Sequence, residues 1–199
     1  MLSFLEERLA ERPKPLKTEK LWMHALDQKQ FKQILANVEA AKITFRSAIE
    51  EFDGTTDQIL QMDEIVQLRQ FKNAEKFDVS QFLIDDENVV EHFLNISKVC
   101  IYVKSITTED LLKIKENYLN PNSTKDDDSY FDLKYKEFQG LKPFIQSMGT
   151  PSVTDYGGQW FYQNQDRIVS IRHDAPDNCF SFFLPDKDGD DLKDAIVQF

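Results

Sequence analysis

Apolar residues in the first third of the chain recur at spacings of three and four. Phe31, Ile34, Leu35, Val38, Ala41, Phe45, Ile49 and Phe52 form one stripe. That stripe predicts a single long helix from near Asp27, closed by Gly54 in a position suited to a C-cap. Ahead of it, "LSFLEERLAER" is a short amphipathic segment that stops at Pro13 and Pro15, and Trp22, Met23 and His24 read as part of an apolar helix. After Gly54 the pattern restarts in "TTDQILQMDEIVQLRQF", with Thr55 or Thr56 as N-cap and Ile59, Met62, Val66 and Phe71 on one face. A turn this short predicts two antiparallel neighbouring helices.

The pattern changes after Lys76. A short helix is expected near Asp86, where Val89, Val90, Phe93 and Leu94 share a face. "KVCIYVKSI" is rich in β-branched and aromatic residues and predicts a strand. It leads into "TTEDLLKIKENYLNP", where Thr107 and Asp110 fit a capping box and Asn120-Pro121 ends the helix. Residues 130–139 match both periods and are read as helix, because "KPFIQSM" after them is helical in pattern. Then "QWFYQ", "RIVSIRH" and "CFSFFL" predict an antiparallel meander, its first turn at "NQD". No internal repeat is apparent. The expected fold class is α+β, a helical N-terminal half packed on a small antiparallel β-meander with flanking helices. The expected organisation is a helical region over 1–77 and an α+β region over 78–199, or one continuous domain.

Composition narrows the class. Apolar residues make up 41% of the 199, and sixteen phenylalanines support a packed core rather than disorder. No apolar run reaches the roughly 20 residues that span a bilayer, and the start has no signal-peptide pattern. Cys100 and Cys179 lie in strand-like runs and read as buried free thiols. These features together predict a cytoplasmic protein. The formal net charge is −11, of which −9 lies after residue 80 and −2 before it. Such a field repels phosphate backbones and attracts cationic surfaces, so a protein with a basic surface is the expected partner and nucleic acid is not.

The chemistry is sparse. Asp186, Asp188, Asp190, Asp191 and Asp194 crowd the C-terminal stretch, but a calcium loop started at Asp186 places Asp191 where glycine is needed and Val197 at its last ligand. Asp186, Asp188 and Asp190 are therefore only a weak candidate cation site, and the aspartates read as the N-terminal cap of a closing helix. His173-Asp174, with Ser170 and Cys179 nearby, is the one grouping that suggests a nucleophilic centre, although Ser170 and His173 point to opposite faces of a regular strand. No zinc spacing, phosphate loop or nucleophile elbow is present, and no cofactor is expected.

These features point to a non-catalytic acidic protein-binding module or inhibitor. Bacterial immunity proteins and phage-encoded inhibitors share this general character, with no matched motif. The candidate partner contacts are the loop Asp126, Asp127 and Asp128 with Tyr130, and an aromatic ribbon of Trp160 and Tyr162. Two alternatives stand beside it. One is an enzyme with a site assembled near His173; the other is a scaffold assembling through an exposed apolar stripe from Phe31 to Phe52.

Overall fold

In the computed structural model the described residues are 7–9, 11–25, 28–47, 58–138, 140–154, 157–185 and 197–198. The chain alternates strand and helix through its first two thirds: β1 (Leu16–Ala25), α1 (Gln28–Leu35), β2 (Val38–Ser47), the two-residue β3 (Ile59–Leu60), a 3-10 turn (Ile65–Gln67), α2 (Arg69–Lys72), β4 (Lys76–Ile84), α3 (Val89–Phe93), β5 (Lys98–Ile106), α4 (Thr108–Leu119) and β6 (Tyr130–Phe138). After α5 (Leu141–Met148) come β7 (Ser152–Thr154), β8 (Gly157–Asn164), β9 (Arg167–Asp174), β10 (Cys179–Phe183) and β11 (Val197–Gln198). The eleven strands among the described residues belong to one sheet, ordered β1-β2-β4-β5-β6-β10-β9-β8-β11, with β3 beside β4 and β7 beside β8.

The sheet has two halves. From β1 to β6 every main neighbour is parallel, each strand joining the same side of the last. From β6 through β10, β9 and β8 the neighbours are antiparallel. Crossovers of uniform hand that advance in one direction place their helices on one face. Burial agrees. On β2, Ile43 and Phe45 are buried while Thr44 and Arg46 are not; on β5, Val99, Ile101 and Val103 are buried while Lys98, Cys100 and Tyr102 are not.

The covered face is an aromatic core. Phe31 of α1 stacks on Phe45 at 4.2 Å, and Phe45 on Phe82 at 4.5 Å. Phe71 of α2 meets Phe77 edge-on at 4.9 Å, and Phe93 of α3 closes the group against both. Each fully buried phenylalanine contributes about 1.5–3 kcal/mol of transfer free energy. Helix α4 carries Leu111, Ile114 and Tyr118 into the same core. It begins with a capping box: Thr107 Oγ1 accepts from the Asp110 N–H at 3.2 Å, and Asp110 Oδ2 accepts from the Thr107 N–H at 3.0 Å.

The expected α+β arrangement is overturned. The N-terminal half is not a helical hairpin packed on a meander; it supplies the parallel strands of the one sheet. The long stripe splits at Asn37. Helix α1 ends there, with the Asn37 side chain donating to the Gln33 carbonyl at 2.8 Å, and Val38 opens β2. Phe31 and Phe45 are both buried, which removes them from an exposed assembly stripe; Ile49 and Phe52 lie outside the described residues. Trp22, Met23 and His24 belong to an edge strand, not a helix. Residues 130–138 are strand, with Phe131, Leu133 and Tyr135 buried in alternation. The expected boundary at 77/78 falls inside β4. Asp186, Asp188, Asp190, Asp191 and Asp194 lie outside the described residues, and the expected closing helix is corrected at its end, where Val197–Gln198 are strand paired with β8. Among the described residues no helix is long and apolar enough to cross a membrane.

Candidate functional site on the helix-free face

The face of β1–β6 turned away from the helices carries polar side chains in register. Lys20 pairs with Lys42, Lys42 with Lys76, Lys76 with Lys98, and Lys98 with Tyr130. At about 4.8 Å per strand, four lysines in a row span roughly 14 Å. The adjoining row reads Trp22, Thr44, Asp78, Cys100, Asp132, Ser181 and Arg172. Asp132 accepts from Ser181 Oγ at 2.7 Å, and Asp78 from Ser80 Oγ at 2.9 Å. Trp22 is 69% exposed, with the Arg46 guanidinium 5.9 Å from its ring centroid and His24 stacked at 6.3 Å.

The lysines have local partners. Lys42 Nζ lies 3.1 Å from Glu19 and Lys98 Nζ 3.7 Å from Asp128. Lys76 sits 5.9 Å from the Tyr130 ring. Burial is the largest influence and disfavours its charge, but the hydrogen bond with Tyr130 and the charge interactions with Tyr130, Cys100 and Asp78 together outweigh it, and the pKa is raised. A cleft of about 610 Å³ opens between the start of β1 and α2, lined by Lys14, Lys17, Glu39 and Arg69 among others and by none of the four lysines of the row. There Glu39 pairs with Arg69 and, at 3.8 Å, with Lys17.

Of the residues singled out by sequence, the acidic loop and Tyr130 lie at the edge of this face. Asp126, Asp127 and Asp128 are exposed. Asp126 also anchors its turn, accepting from Ser129 Oγ at 2.7 Å. Beneath the loop Lys125 is only 3% exposed; its Nζ donates to the Ile96 carbonyl and lies 5.2 Å from the Tyr118 ring centroid. Burial, partly opposed by Asp126, brings its pKa down to about 8.

Trp160 and Tyr162 are elsewhere. Both are buried on the helix side, where Trp160 Nε1 donates to the Gly149 carbonyl at 2.9 Å and the Tyr162 hydroxyl to the Met148 carbonyl. They fasten β8 to the end of α5 and offer no surface ribbon. On the opposite side of these strands, Phe161 and Ser170 are buried as well, so this part of the sheet is closed on both faces.

The His173 grouping is a packing feature. Its ring stacks on Phe180 at 4.3 Å and its Nε2 lies 2.7 Å from the Tyr135 hydroxyl. Burial lowers its pKa against the pull of Asp174. Ser170, on the other face, accepts from Gln159 Nε2 at 2.9 Å. Cys179 is pushed up to about 11, by burial first and Asp132 second; Cys100 is pushed up to about 12 by burial, then Asp132 and Asp78. A thiol nucleophile needs the opposite shift. Among the described residues no three His, Cys, Asp or Glu side chains gather as a metal site.

The sequence model of the FTH domain matches residues 1–139. The chain belongs to the FTH domain family. The matched span ends just after β6, so it takes in the parallel half of the sheet and the whole lysine row. No curated protein and no solved structure matches the chain.

Sequence reasoning missed the row because it placed Trp22 and Lys42 on helices and gave the strand that opens at Lys98 no parallel neighbour. One signal was available. Lys20 and Lys42 are 22 residues apart, and so are Lys76 and Lys98. That shared interval is the length of one strand–helix step, hidden from a repeat search by the longer passages after β2 and β5.

Proposed function

We propose that this FTH-family chain is a non-catalytic protein-binding module that docks through the helix-free face of β1–β6. The exposure of Trp22 carries the reading. A tryptophan left in water on a flat sheet, beside Arg46, is the kind of side chain that anchors protein interfaces once desolvated. Parallel sheets are commonly covered on both faces, so a parallel half whose polar face carries no helix among the described residues departs from the usual design. The raised thiol pKa values and the packed His173 leave the visible polar groups better suited to recognition than to bond-breaking.

A photo-cross-linking residue at Thr44, on the face, is expected to yield a covalent protein adduct in cell extract that excess wild-type protein suppresses and excess Trp22→Ala does not. The same probe at Lys29, on exposed α1, is expected to give no such adduct. Equal labelling from both positions would refute a specific face.

A second reading keeps the exposed Asp126–Asp128 loop as the attractor of a basic partner, supported by its solvation and by the net charge of −11. Replacing the three aspartates with asparagine should slow association with a basic partner at low salt without unfolding the chain. An unchanged on-rate removes the loop from the contact.

A further inference from the structure

We propose that the row Lys20, Lys42, Lys76 and Lys98 is a docking track for an acidic peptide segment of a partner protein. The proposal rests on the protein-binding reading above and gives the partner's contacting segment a charge. Its basis is segregation of charge. In a chain of net charge −11, four cations lie side by side across four parallel strands, each in direct register with the next. Lysines this close repel one another in the free protein. Glu19 and Asp128 relieve the repulsion at Lys42 and Lys98 from the margins of the row. An arriving carboxylate-rich segment relieves it directly, exchanging partners without burying an unpaired charge.

The cleft between the start of β1 and α2 is also rich in cations. Lys14, Lys17 and Arg69 stand there against one carboxylate, Glu39, which Arg69 and Lys17 already hold. Trp22 lies two residues along β1 from Lys20, on the same face, and gives the track one apolar anchor at its side. That pairing of cations with an aromatic fits a segment in which acidic residues flank a hydrophobic one. Nucleic acid fits less well. Asp78 and Asp132 occupy the adjoining row and the net charge of −11 opposes any anion, but a short peptide presents fewer charges to them than a continuous sugar–phosphate backbone does.

The test uses the full chain and a fluorescein-labelled synthetic peptide in which glutamates flank a central leucine. Controls are the matching lysine-for-glutamate peptide and a labelled oligothymidylate. Fluorescence anisotropy should show binding of the acidic peptide alone, weakening as salt rises. The Lys42→Glu/Lys76→Glu double variant should lose about tenfold or more in affinity, since two attractive contacts become repulsive. The Lys29→Glu/Lys72→Glu variant, altered on the helices at equal net charge, should bind as wild type. Circular dichroism and thermal melting establish that both variants fold. If the face variant does not, Lys20→Gln/Lys98→Gln replaces it with the same expected direction. No binding at low salt, equal loss in both double variants, or tighter binding of oligothymidylate would each overturn the proposal. A face-specific cross-link at Thr44 alongside a silent acidic peptide would sink this inference and leave the binding-module reading standing; the converse would separate them the other way.

Discussion

The two halves of the sheet use the same backbone plan to opposite ends. In the parallel half, β1–β6, helices cover one face and the other carries Lys20, Lys42, Lys76, Lys98 and a 69% exposed Trp22. In the antiparallel half, Trp160 and Tyr162 are buried on one side of β8 while Phe161 is buried on the other. The aromatic residues that look most like an interface are therefore structural, and those that look like a helix core include the exposed one. Aromatic content indicates where area is buried only after the number of covered faces is known. That number follows from topology, because parallel strands added in one direction leave the side opposite their crossovers open.

The largest expected effect lies on the covered face. Phe77→Ala removes a fully buried ring packed on Phe31, Phe71 and Phe93, and should cost about 3–5 kcal/mol in chemical denaturation. Because one core spans both halves, Trp160→Ala should shift the same single transition. Two separate transitions would divide the sheet into independent units.

Next in size is Lys125, buried where the two halves meet. Its pKa of about 8 lies below the ordinary lysine value of 10.5, so the folded state prefers it neutral. The resulting stability is present above pH 10.5 and is lost as pH falls through 8. Comparing wild type with Lys125→Met over that range should reveal a difference of about 2–3 kcal/mol in how stability changes with pH. Parallel curves would mean that water reaches the ammonium group.

A smaller effect belongs to the helix that bridges the halves. Thr107→Ala breaks the capping box of α4 and should cost about 1 kcal/mol, read as a lower melting temperature. The smallest effect lies on the open face. Trp22→Ala and Lys98→Ala should change stability by no more than about 0.5 kcal/mol, since neither fills the core. A loss near that of Phe77→Ala would show that the face is already covered in the free protein.

Some local decisions were legible in sequence. "KVCIYVKSI" gives β5, Thr107 and Asp110 cap α4, Asn120 ends it, and the turn after Asn164 joins β8 to β9. Each depends on neighbours in the chain, through β-branching, a reciprocal side-chain bond or a turn residue. The split of the stripe at Asn37 was not legible, because Phe31, Ile34, Leu35 and Val38 satisfy a helix while Val38, Ala40, Ile43 and Phe45 serve a strand. With Val38 common to both, the periodicity alone does not show where one ends.

What the chain determined by itself was the placement of caps, turns and the most β-prone strand, because those energies are settled within a few residues. What tertiary structure decided was the pairing of β1 to β6 in parallel, and with it which side chains share a face. Parallel neighbours lie a full crossover apart in sequence, so the row of lysines exists only once distant strands are in register.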